Sequence, residues 1–290
     1  MSVGLVIPPR ERDLGDGMMV RRALPFVHKR MVGPFIFWDH MGPVKVSDKF
    51  EMLVRSHPHI GLSTLTYLFS GEILHRDSLG NELLIKAGEV NWMTAGRGIS
   101  HSERSAPEHG QNDMTVEGIQ LWIALPTSHE EVAPSFVHYD AHELPSYQQG
   151  GVEWRVIAGE YQGIKSPVST YSSLFYFEAS VTQGHVGEFP MPMTHEAALY
   201  VAKGEVQIEG VQHGAGVLIV FAPGSKVEFK ASADSRVLIF GGEPLPEPRH
   251  IWWNFVSSSK ERIEQAKEDW RNQRFGQVPR ETDFIPLPEK

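Results

Sequence analysis

Two short stretches carry side chains able to do metal chemistry: Ser56-His57-Pro58-His59-Ile60-Gly61 and Gly98-Ile99-Ser100-His101-Ser102-Glu103. Each holds two metal-capable residues at a spacing of two. On a β-strand such residues point to one face. His57 and His59 therefore aim together, and so do His101 and Glu103. If the two strands face each other inside a barrel, three imidazoles and one carboxylate meet at one point. Nitrogen and oxygen ligands without sulfur suit Fe(II), Mn(II), Co(II), Ni(II) or Zn(II) and do not choose among them. In an octahedral ion this set leaves two positions open for substrate or dioxygen. The plainer alternative is that these are hydrogen-bonded histidines, since many strands carry a His-x-His by accident. The second pair, at the same spacing, favours the metal.

Other candidates carry less. His75, in Leu74-His75-Arg76-Asp77, lies on an expected strand and can support a ligand from behind or simply end a surface strand. His40 follows a buried strand and is expected to make a loop hydrogen bond. His195-Glu196 has no partner pair and reads as structural. Phe37, Trp38, Trp92 and Met93 can wall an apolar pocket, but aromatic residues at strand spacing are usually core. Gly96-Arg97-Gly98 lacks the Gly-Lys-Ser/Thr ending and the following helix of a phosphate loop. No catalytic residue beyond the metal ligands emerges.

The elements that would position the two pairs are short and β-rich. Gly33 to Asp39 reads as a buried strand ending in a turn at Gly42-Pro43. Thr64 to Phe69, Glu72 to Arg76, Glu82 to Lys86, Val90 to Met93 and Gly118 to Leu125 continue the series. β-Formers separated by glycine turns indicate a β-sandwich or barrel. Residues 1 to about 27 read as an arm lying on a domain. A looser stretch from Pro126 to Gly151 marks the link between domains, and a second β-series runs from Val152 to Ile239. Ser258-Ser259-Lys260-Glu261 reads as a capping box. Ile263, Ala266 and Trp270 then recur at helical spacing, and Gly276 and Pro279 close the element. One amphipathic helix is expected over 259–275.

The chain has 290 residues, 41% of them hydrophobic, which suits two domains. The 27 glycines and 20 prolines fit an all-β protein with many turns. A net charge of −9 without a basic run disfavours direct nucleic-acid binding. The absence of cysteine excludes disulfides and thiolate zinc sites. The N-terminal stretch through Asp16 lacks the apolar core of a signal peptide, and no run approaches a membrane span. The expectation is a cytoplasmic, monomeric protein with no membrane partner.

The two β-halves read as a repeat. Tyr67, Gly71 and Glu72 recur 133 residues on as Tyr200, Gly204 and Glu205. Ala87-Gly88 recurs 128 residues on as Ala215-Gly216, and Gly96 as Gly224. Order and spacing fit a duplicated barrel. The same offsets carry the first histidine pair onto Pro190 and Pro192, and the second pair onto Phe229 and Ala231. None of these can ligate through its side chain, so one metal per chain is expected, in the first half.

The sequence resembles the pirin family, two-barrel members of the cupin superfamily. The resemblance rests on His57-Pro58-His59 with Gly61, on Trp92-Met93-Thr94-Ala95-Gly96-Arg97-Gly98-Ile99 with His101 and Glu103, on Gln120-Leu121-Trp122, and on Asn254-Phe255-Val256 before a C-terminal helix. It implies an all-β fold of two tandem jelly-roll barrels with that helix. The expected division is a metal-binding barrel over residues 1–135 and a metal-free barrel with the helix over 136–290. It also implies one divalent ion, iron(II) foremost, on His57, His59, His101 and Glu103. The implied activity is oxidative ring opening of a small aromatic substrate, a flavonol such as quercetin. The alternative it implies is a redox-sensing regulatory role with a protein partner. General cupins place a glutamate ligand shortly after the second histidine; here the chain reads Leu62-Ser63-Thr64.

Overall fold

The computed structural model describes residues 2–14, 18–46, 52–105 and 114–289. Residues 1 and 15–17 of the expected arm lie outside the described residues. Strands dominate, with one α-helix over Lys260–Arg271 and one short 3-10 turn among the described residues. None of these helices is long and apolar enough to cross a membrane.

The chain forms two compact units. One comprises residues 1–12, 20–40 and 142–245; the other comprises 13–19, 41–141 and 246–290. The division therefore departs from the expected cut at 135/136, which would split the Ser135–Tyr139 strand. Both chain ends change sides. The expected arm is not a loose cover: Val3–Ile7 pairs antiparallel with Leu218–Phe221. The helix, expected with the second barrel, belongs to the unit that carries the histidine pairs. There Ile263, Ala266 and Trp270 pack with Ile60, Phe255 and Phe275 in one apolar cluster. Arg249 and Glu130, both buried, form an ion pair of 2.8 Å that ties the C-terminal segment to the same unit. Breaking such a pair leaves an uncompensated buried charge, which is far costlier than losing a surface contact.

Two more expectations shift locally. The first long strand runs from Phe35 to Val46, through Gly42-Pro43 instead of ending there. Gly42 allows this because its φ is +73° and an added Cβ would lie 2.3 Å from the Val116 carbonyl oxygen. The helix starts at Lys260 with Ser259 as N-cap, its hydroxyl accepting from the Arg262 amide at 3.2 Å. The cap thus falls one residue later than the expected box, and the helix ends at Arg271, with Asn272 as C-cap, ahead of Gly276.

The duplication is plain in the strand order. In the first half, Leu62–Ser70 lies between Val90–Thr94 and Met114–Ala124; in the second, Glu196–Lys203 lies between Leu218–Phe221 and Ser235–Gly242. Each half adds a four-stranded sheet. One runs Leu53–His59, Ile99–Arg104, Glu72–Asp77, Glu82–Lys86, and the other Val186–Phe189, Val227–Ala231, Glu205–Ile208, Val211–Gly214. The pairings repeat in the same order, as a duplicated barrel requires.

Candidate metal centre

The two histidine-bearing strands are neighbours. Ile99–Arg104 pairs antiparallel with Leu53–His59, so that His101 lies opposite His57 and Ile99 opposite His59. On its other side it pairs with Glu72–Asp77, placing His101 opposite Asp77 and Glu103 opposite His75. Cross-strand partners share a face, so six polar side chains line one side of this sheet. All six are buried.

His57, His59 and His101 form one group, with a ligand nitrogen from each lying within 4.8 Å of the others. Their ring centroids are 4.3–5.0 Å apart. A bulge falls between His101 and Glu103, where the pairing jumps from His57 to Val54. At that bulge the Arg55 carbonyl accepts a 2.8 Å hydrogen bond from Nδ1 of His57. A carbonyl only accepts, so Nδ1 carries the proton and Nε2 keeps a free lone pair. The Asn254 backbone hydrogen-bonds the His59 ring. Nδ1 of His59 and both ring nitrogens of His101 are buried without a hydrogen-bond partner. Buried polar atoms are rarely left so. Orphaned imidazole nitrogens converging on one point fit a metal ion.

The electrostatics fit as well. Burial pushes His57 down to about 4, against the opposing pull of the Arg55 hydrogen bond. Burial likewise lowers His59 and His101 well below the usual histidine range, with the charges of neighbouring histidines adding to it. Neutral imidazole is the form that ligates. Gly61, just beyond His59, has a φ of +67° and admits the Val256 carbonyl oxygen within 2.0 Å of where a Cβ would stand. Only glycine fits there, and it docks the Phe255–Ser257 strand at the end of the histidine strand.

Glu103 points to the same face but lies outside the three-histidine group. It is buried, with the Thr66 hydroxyl donating to it at 3.3 Å. Thr66 also contacts Gln120 at 2.7 Å. Burial raises the Glu103 carboxyl above its usual range, opposed by His75 and Thr66. His75 is no surface residue: its ring lies 5.3 Å from that of His101, stacks on Phe136 at 4.4 Å, and bonds Asp77 at 3.2 Å. Burial pushes Asp77 up, but hydrogen bonds from His75 and Asn81 outweigh it and hold the carboxyl below its usual range.

The remaining sequence candidates go elsewhere. His40 sits within a strand, fully buried, and bonds the Tyr200 hydroxyl at 3.1 Å; no loop is involved. His195 bonds Ser173 at 2.9 Å. Phe37 and Trp38 belong to the unit without the histidine group, where Trp38 stacks on Phe240. Trp92 and Met93 are buried strand residues. The wall at the histidines is instead Trp122, edge-on to His59 at 5.1 Å. Asp77, Phe136, Trp122 and Thr66 are parts of the site that the sequence candidates do not include. For Asp77 the signal was present, since its spacing of two from His75 repeats the spacing of the two metal-capable pairs.

In the second barrel the hydrogen-bonded register gives counterparts different from those that the sequence offsets suggest. Phe229 pairs with Gly187, and Val227 with Phe189. With Phe229 in the place of His101, as the 128-residue offset sets it, Gly187 and Phe189 stand where His57 and His59 stand, three residues ahead of Pro190 and Pro192. Phe229, Phe189 and Ala231 lie in the apolar core, with Leu199 and Ile239 at the places of Thr66 and Gln120.

Two tandem barrels of this topology, one with inward histidines, define a bicupin. The chain belongs to the pirin family: the Pirin family matches residues 17–123, and the Pirin C-terminal cupin domain matches residues 176–276. It is 51% identical to a pirin-like protein of Caulobacter vibrioides, covering 99% of this chain and all of that one. It is 32% identical to Pirin-1 of Arabidopsis thaliana, covering 90% of each. A crystal structure of a quercetin 2,3-dioxygenase from Acinetobacter baumannii superposes with a TM-score of 0.92 at 36% identity, covering 99% of this chain and 95% of that one.

Proposed function

We propose that this protein is a metal-dependent dioxygenase acting on a small aromatic substrate of the flavonol type, with His57, His59 and His101 as ligands and Glu103 as the fourth. The observation that carries the reading is the convergence of three buried imidazoles, among which Nδ1 of His59 and both ring nitrogens of His101 have no hydrogen-bond partner. The likeness to a quercetin 2,3-dioxygenase from Acinetobacter baumannii supports the substrate class. Iron(II) is the first choice, with Mn, Co, Ni or Zn able to take the same donors.

The bound ion would supply a Lewis-acidic centre with open positions, able to lower the proton affinity of a ligating hydroxyl. The chain's own residues do the rest. The Arg55 carbonyl and the Asn254 backbone fix the faces of His57 and His59. Thr66 holds Glu103 in place, and Glu103 supplies the one anionic donor. Trp122 shields the His59 side from water. With Leu62-Ser63-Thr64 after the second histidine, no further carboxylate is offered there.

The test is oxygen uptake on iron-loaded protein with a flavonol, read together with the product by mass spectrometry. Turnover in the parent and its loss in a folded His101→Ala variant are expected. Iron-loaded, folded protein that consumes no oxygen with any of a panel of flavonols would overturn the reading.

A further inference from the structure

The strands that carry the metal centre are held from behind by the end of the chain. On Ile99–Arg104, His101 and Glu103 face the histidine group, so Ser100, Ser102 and Arg104 face away. Both serines are nonetheless fully buried, because the segment 276–285 packs on them. The Ser100 hydroxyl donates to the Gly276 carbonyl at 2.9 Å, and the Ser102 hydroxyl donates to Oε1 of Glu281 at 2.9 Å. On the neighbouring strand the Ser56 carbonyl accepts from the Ile285 amide at 2.8 Å, and Ser56 forms a parallel bridge with Phe284.

Glu281 is the centre of these contacts, and its side chain is only 4% exposed. Nη1 of Arg76 donates to Oε1 at 3.1 Å, and Nη2 of Arg104 donates to Oε2. Arg76 lies opposite Ser102 on Glu72–Asp77, so one carboxylate spans two strands. Its place along them matters. The pairing of Ile99–Arg104 with Leu53–His59 is regular from Ile99 to His101 and breaks before Glu103. There Arg55 and Ser56 stand against Ser102 alone. The break therefore falls between the three imidazoles and Glu103. The tail grips both of its sides, Ser102 through Glu281 and Ser56 through Ile285. A bulge bends its strand, and a ligand serves a metal only within about 0.2 Å of its bonding distance. Whatever fixes this bulge decides whether Glu103 reaches the ion.

We propose that Glu281 is a positioning residue for the metal centre: through Ser102 it fixes the bulge that aims Glu103 at the three histidines. The inference rests on the reading of His57, His59, His101 and Glu103 as ligands. Glu281 never meets the metal or the substrate. It acts on the backbone between two ligands, from the opposite face of the sheet.

The experiment loads Co2+ into metal-free full-length protein and reads its d–d absorption, which reports the coordination number, with affinity taken from competition by a chelator. Glu281→Ala, Ser102→Ala, Glu103→Gln and the double variant Ser102→Ala/Glu103→Gln are compared with the parent, each checked for folding. Ser102→Ala leaves the carboxylate on its two arginines, so it keeps the test open if Glu281→Ala does not fold. Glu281→Ala and Ser102→Ala should each bind Co2+ roughly 10–100-fold more weakly, with a spectrum moved toward that of Glu103→Gln. The double variant should be no weaker than Glu103→Gln alone, since the two changes remove the same ligand. Arg280→Ala, which breaks only the neighbouring exposed bridge to Glu82, should keep the parental spectrum. A parental spectrum in Ser102→Ala, or losses that add in the double variant, would overturn the proposal and leave the metal centre standing. A parent that binds no Co2+, or a Glu103→Gln variant with the parental spectrum, would instead unseat the four-ligand reading and this inference with it.

Discussion

Phe229 fills the space that a side chain at Gly187 would need: a Cβ built on Gly187 would lie 2.2 Å from Cζ of Phe229. These two residues are cross-strand partners, in the places that His57 and His101 hold in the first barrel. Where one barrel sets two imidazoles around a point, the other sets a phenyl ring against a hydrogen. Gly187→Ala should therefore overpack the second core and cost about 1–3 kcal/mol. Chemical denaturation would read this as a lower midpoint, with metal content unchanged. An unaltered midpoint would mean that the ring has room to swing away.

Removing one ligand should matter more than neutralising one. His101→Ala deletes a donor facing two others and should abolish retention of the buried ion through dialysis. Glu103→Gln keeps the shape and removes the charge, so it should weaken binding while the fold holds. His195→Ala, in the other unit, should leave metal content at the parent level. Elemental analysis of folded protein decides, and full retention in His101→Ala would place the ion elsewhere.

The metal-free protein should lose stability as the pH falls. His57 titrates at about 4 when folded, against 6.5 for a free histidine. Below about pH 6.5 the unfolded chain takes up a proton that the folded chain refuses, so stability declines until about pH 4 and then levels. His57 alone accounts for a loss on the order of 3 kcal/mol. His59 and His101 act in the same direction. Glu103, raised by burial, acts in the opposite direction and recovers part of the loss. Urea midpoints with a chelator present, measured near neutrality and in mild acid, would show it. A flat profile would mean that these rings are not held neutral by burial. The same shifts place proton competition with the metal well below the usual histidine range.

Trp270→Ala should be among the costliest single changes. The ring is buried against the helix's own apolar cluster, and its Nε1 donates to the Ile285 carbonyl at 3.0 Å. A loss of about 3–5 kcal/mol is expected from the vacated volume. Ile285 in turn donates its amide to the Ser56 carbonyl at 2.8 Å, one residue before His57. Metal retention should therefore fall along with stability, and a variant of full stability would show the ring to be dispensable.

The all-β class, the duplication and the three histidines are legible in the amino-acid sequence alone. Each rests on a local period: alternation along a strand, a turn every few residues, and a spacing of two that sends side chains to one face. Chain-distant pairings could not be read that way. Nothing local says that Val3–Ile7 closes on Leu218–Phe221, or that Trp270 packs with Ile60, because those contacts depend on where loops of many residues return. The same holds at the site. Sequence spacing set Pro190 and Pro192 opposite the first histidine pair, but hydrogen-bonded register put Gly187 and Phe189 there, since a shorter strand slides the count while the ladder keeps its partners. Tertiary packing also decided the surroundings of His75. Only pairing with Ile99–Arg104 turns a strand-end histidine inward, against Glu103 and Phe136, beside the three rings.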